Sequence, residues 1–106
     1  MKKVMISQPM KGKTFEQIKQ ERLDIIDKLE DSGYQIVNNI ICAKAPDNVD
    51  EALFFLSLSI RIMSKVDCLC FMTGWEQARG CMIEHEVAYL YGKEVIYEEE
   101  LVNKTL

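Results

Sequence analysis

The sequence predicts an α/β domain built on a parallel sheet, and three observations carry that prediction. Short apolar runs at residues 3–6, 34–37, 67–72 and 95–97 alternate with stretches of helical periodicity. The spacing between the runs suits right-handed crossovers, with helices covering both faces of the sheet. The 106 residues allow one compact domain, at roughly 150 residues per domain. A composition of 48% hydrophobic and 28% charged residues excludes a disordered tail and a membrane protein. No unbroken apolar run is longer than that at residues 52–56, far short of the ~18 residues a spanning helix needs. A net charge of −4 argues against nucleic acid as a partner. No signal-peptide pattern follows Met1-Lys2-Lys3, so a cytoplasmic location is expected.

Each element has its own signal. Residues 3–6 form a buried strand closed by Ser7-Gln8-Pro9. Thr14 caps the first helix, and Gln17 completes a capping-box spacing. Phe15, Ile18, Ile25, Ile26 and Leu29 then keep helical spacing, with Arg22 interrupting the stripe near its edge. Gly33 stands where a left-handed terminator is expected, before the strand at 34–37. Residues 38–48 read as a loop, and Asp47 or Asn48 as the cap of a second helix running to about Lys65. A third strand spans residues 67–72, a loop 73–79 and a third helix 80–91, which Gly92 ends. Residues 95–97 are the fourth strand. The Glu98-Glu99-Glu100 tail reads as solvated or frayed, with an extra turn as the alternative. The simplest strand order is 2-1-3-4, a three-layer flavodoxin-like sandwich. Ligands in such sheets bind beyond the carboxyl ends of the strands, here residues 7–13, 38–45 and 73–80.

Four cysteines, at 42, 68, 70 and 81, read as free thiols. Cys68 and Cys70 point to one face of a strand as small hydrophobes. His85 is the only histidine, so no metal site is expected.

The third loop and helix hold the candidate chemistry. By helical rotation Ile83, Val87 and Leu90 share one arc expected to face the sheet, with Glu84 on its flank. A half-buried carboxylate at a ligand cleft serves as nucleophile or general base. The alternative is a carboxylate that only favours the positive end of the helix. Gly74 and Gly80 permit close backbone approach, and Arg79 suits an anion such as phosphate. Trp75 is placed either to stack on a base or to cap the sheet edge. Cys81 with His85 one turn later is a rival pair, but the same rotation turns His85 outward.

The second helix is different. Leu53, Phe54, Phe55 and Leu56 are consecutive, and Leu58, Ile60, Ile62 and Met63 follow. Only Ser57, Arg61 and Ser64 form a polar stripe, so a second cover is needed. A homodimer built on helix 50–65 is expected.

With those residues identified, the chain resembles the nucleoside 2-deoxyribosyltransferase-like superfamily, in its small bacterial and phage branch. The likeness spans residues 1–106 as one domain. Ile6-Ser7-Gln8-Pro9-Met10-Lys11-Gly12 is similar to that branch's first ligand loop, with Gln8 where glycine is usual. Gly74-Trp75-Glu76, Arg79-Gly80, Glu84 and Ala88 are similar to its third loop and helix. The resemblance implies that Glu84 attacks an anomeric carbon, cleaving an N-glycosidic bond or exchanging the base. It further implies that Ser7, Gly12 and Gly80 line the sugar or phosphate pocket. Gln8, Met10, Gly74, Trp75 and Arg79 join them as candidate contacts to a nucleoside or nucleotide, and no cofactor is implied. The family's supporting aspartate on the preceding helix has no counterpart, since Ser57, Ser59 and Arg61 stand there. A non-catalytic nucleotide-binding protein is therefore the alternative, and a pure interaction module using the second helix is a third.

Overall fold

The computed structural model describes residues 1–40 and 44–103. Cys42, and with it part of the expected 38–48 loop, lies outside the described residues. The four strands are β1 (Lys2–Ser7), β2 (Tyr34–Ile36), β3 (Cys68–Phe71) and β4 (Glu94–Tyr97). All three pairings are parallel, in the order β2-β1-β3-β4. The long helices are α1 (Phe15–Asp31), α2 (Glu51–Met63) and α3 (Arg79–Leu90).

Alternation along the strands sorts side chains into two cores. Val4, Ile6, Cys68, Cys70 and Ile96 pack against Ile25 and Leu29 of α1. Met5, Leu69 and Phe71 pack on the other face, against Met63 of α2 and Ala88 of α3. The sheet is thus sandwiched between two helical layers.

Local chemistry explains the ends of the elements. Thr14 Oγ1 accepts from the Gln17 N–H at 3.1 Å, and Gln17 Oε1 accepts from the Thr14 N–H at 2.8 Å. Gly33 takes φ +91° directly after α1. Several bounds shift by a residue or two from the sequence reading, and two differences have a clear local cause. The cap of α2 is Asp50, whose Oδ1 accepts from the Leu53 N–H at 3.1 Å, not Asp47 or Asn48. Asp50 has the required side chain next to the apolar run, so the helix starts later. The acidic tail forms a short helix, α4 (Glu98–Asn103), because Leu101 has a place in the α1-side core. Asp67, just before β3, ties the start of β1: its Oδ2 accepts from the Lys3 N–H at 2.8 Å.

Candidate functional site

Parallel strands bring the ends of β1 and β3 together, and Ser7 is the last residue of β1. The Met72 N–H donates to the Ser7 carbonyl at 3.0 Å, joining the two loops that follow. Gly74 takes φ +91°, and a side chain there would also meet Pro9 Cγ at 3.7 Å. A left-handed backbone beside the first loop favours glycine at this turn.

Glu84 stands over that junction, one turn into α3. The helix presents Cys81, Glu84 and Ala88 to the sheet. This corrects the expected arc: Ile83 and Leu90 are exposed, Leu90 by 65% of its surface, and Val87 is half-buried. Alanine and cysteine are short enough for the helix to lie close to the sheet. Of the expected arc, Val87 packs against the cluster that contains Met63 of α2, while Ile83 and Leu90 face outward. Glu84 is consequently more deeply buried than a flank position implies, with 7% of its surface exposed.

The Ser7 hydroxyl donates to Glu84 Oε1 at 2.6 Å, a charge-assisted distance. Burial pushes the Glu84 carboxyl above its ordinary value; Ser7, Ser59 of α2 and the Arg22 cation each act in the opposite direction. Ser59 thus acts on the nucleophile candidate from the stretch of α2 where the resemblance expects an acid.

Arg22 is the residue that sequence reasoning undervalued. It is 3% exposed, inside the α1 stripe rather than at its edge. Its Nε donates to Gln8 Oε1 at 2.9 Å and its Nη1 to Asn39 Oδ1 at 2.8 Å. Its Nη2 reaches the Ile6 carbonyl at 3.4 Å, which also accepts from Asn39 Nδ2 at 2.8 Å. Burial lowers the guanidinium to about 10, against the opposing field of Glu84, so it remains cationic at neutral pH. Its acceptors are neutral amide and carbonyl oxygens, which leaves its charge uncancelled by direct contact and felt by Glu84. An arginine in the middle of an apolar stripe, with Gln8 and Asn39 at two strand ends, is the signal that marks this cluster.

A family model described as "Domain of unknown function (DUF4406)" matches residues 2–97. The chain belongs to the DUF4406 family. No curated protein and no solved structure matches it.

Around the Ser7–Glu84 pair, the other candidate residues of this DUF4406 domain fall into two groups. Gln8 is buried, with its amide engaged inside the protein: besides holding Arg22, Nε2 donates to the Ile18 carbonyl at 2.9 Å and to Glu21 at 3.3 Å. It therefore clamps α1 to the strand end. Met10, Gly12, Arg79 and Gly80 are exposed, and Gly74 and Trp75 are half-buried.

Trp75 is already stacked. The His85 ring lies 4.1 Å from it, and a His85 ring nitrogen is 2.8 Å from the Tyr97 hydroxyl. This corrects the outward placement of His85, which is half-buried because Trp75, Tyr97 and Phe71 provide an aromatic lining on that side. Burial pushes the Cys81 thiol up to about 11, so a Cys81 nucleophile is disfavoured. Cys68 and Cys70 are also buried and free. Among the described residues no cluster of three or more His, Cys, Asp or Glu is arranged to hold a metal ion, and no helix is long and apolar enough to cross a membrane.

The domain carries two open cavities of about 550 Å³. One lies at the ends of β3 and β4, with Phe71, Trp75 and Tyr97 as its aromatic wall and Glu76, Glu98, Glu99 and Glu100 as its acidic side. The other is a groove between α2 and α3. Glu84 lines neither.

Proposed function

We propose that this DUF4406 domain cleaves, or exchanges the base of, an N-glycosidic bond in a nucleoside or nucleotide, with Glu84 as nucleophile. The observation that carries the reading is a buried carboxylate at the carboxyl ends of a parallel sheet, aimed by the Ser7 hydroxyl at 2.6 Å. A buried cation, Arg22, supports the ionised form against desolvation. In the proposed step a Glu84 oxygen bonds to the anomeric carbon as the bond to the base nitrogen breaks. Water or a second base then releases the sugar. The resemblance to the deoxyribosyltransferase-like superfamily supports the same assignment.

The burial of Glu84 and the serine in place of an acid on α2 favour a second reading, a nucleotide-binding protein without turnover. One experiment separates the two. Wild-type protein is incubated with a panel of nucleosides and their monophosphates, free base is measured by chromatography, and binding by calorimetry. The enzymatic reading predicts released base for at least one member. Stoichiometric heat without released base selects the binding reading, and neither signal rejects both.

A further inference from the structure

The second helix leaves a question that the chemistry at Glu84 does not touch. Of the thirteen residues of α2, Met63 is the one that is fully buried. Leu53 is 60% exposed and Ile60 38% exposed. They are seven residues apart, hence on one stripe of the helix. Beside Ile60 runs the α2–α3 groove, whose apolar wall is Met63, Val87 and Tyr91.

From this surface we infer that α2 packs antiparallel against α2 of a second copy of the chain, about a two-fold axis near Ser57. The pattern is self-complementary in that orientation. Leu53 of each copy enters the groove beside Ile60 of the other, so one apolar side chain and one groove are each used twice. Ser57 is small, and its hydroxyl is already bonded to the Phe54 carbonyl at 2.6 Å, so the helices can approach closely where they cross. Charge agrees with the register. Asp50 caps the N-terminal end of α2, and Arg61 stands in its last turn. An antiparallel pair sets the Asp50 of one copy near the Arg61 of the other, twice. A parallel pair brings like charges together instead. This assignment is independent of the proposed reaction.

Sedimentation or light scattering across a dilution series tests it. Wild type is expected to be dimeric at micromolar concentration. Leu53→Asp is expected to weaken the dimer at least about 30-fold, because a central apolar anchor is lost at two symmetric places. Its circular dichroism should stay unchanged, since Leu53 is mostly exposed in one chain. Arg61→Glu is also expected to weaken association, and adding Asp50→Asn should recover part of the loss while keeping the helix cap. A wild-type monomer at every concentration overturns the inference. So does a dimer indifferent to both Leu53→Asp and Arg61→Glu, which assigns association to another face.

Discussion

Glu84→Gln is expected to lower base release by about a thousandfold or more, while leaving the protein folded and more tolerant of neutral pH. The two effects share one cause. Glutamine keeps the size of the side chain and can still accept from Ser7, but it cannot form a glycosyl ester with comparable reactivity. It also removes a carboxylate from a place that disfavours charge. Because burial holds the Glu84 carboxyl above its ordinary value of 4.5, the folded state binds that proton more tightly than the unfolded chain. The contribution to stability is therefore full in acid and declines as pH rises from about 4.5 through the folded-state value. The difference in Tm, variant minus wild type, should accordingly widen between about pH 4 and pH 7. Thermal unfolding at several pH values checks this. A constant difference shows that Glu84 is not held above its ordinary range. Gained stability with lost turnover is the expected mark of a site that carries strain for its chemistry.

The second large effect belongs to Arg22. Arg22→Met is expected to reduce stability by about 2–4 kcal/mol, lowering Tm by roughly 10–20 °C. Methionine fills similar volume, so the loss is chiefly polar. Gln8 Oε1 and Asn39 Oδ1 lose the donors they have in the native protein. Each buried acceptor left unpaired costs about 1–3 kcal/mol. Relief of a desolvated guanidinium offsets part of that. The same substitution takes away the cation that favours ionised Glu84, so its carboxyl should rise further. The pH at which activity rises should therefore move upward in Arg22→Met. The double variant with Glu84→Gln should be less destabilised than the sum of the two, because the charges interact. Denaturant unfolding of the four proteins reads that coupling. An additive outcome shows that Arg22 is a scaffold residue with no hold on the carboxylate.

The strand order was legible because four short apolar runs alternate with helices, and right-handed crossovers leave few other arrangements. The capping box at Thr14 and the left-handed turn at Gly33 were legible for the same local reason: each is set by a few adjacent residues. Rotation of α3 was not. Its sequence offers two plausible inner arcs, Ile83–Val87–Leu90 and Cys81–Glu84–Ala88, and hydrophobicity alone selects the first. Close approach of a helix to a sheet selects the second, because small side chains fit there. That one rotation decides the burial of Glu84 and the half-buried place of His85. The depth of Arg22 was not legible because the partners that make its burial tolerable, Gln8 and Asn39, are distant in sequence and meet only at the strand ends. For α4, three consecutive glutamates hid a single anchoring residue, Leu101. That Glu84 stands near the carboxyl ends of the strands was legible; its depth, and the cation behind it, required the third dimension.

Intact-mass spectrometry tests the central assignment most directly. The protein is incubated with nucleosides carrying fluorine at the sugar 2-position, which slows breakdown of a glycosyl–enzyme ester. The account predicts a mass increase of one fluorinated sugar per chain, mapped to the peptide containing Glu84 and absent from Glu84→Gln. Base release with no adduct, or an adduct on any other residue, contradicts it.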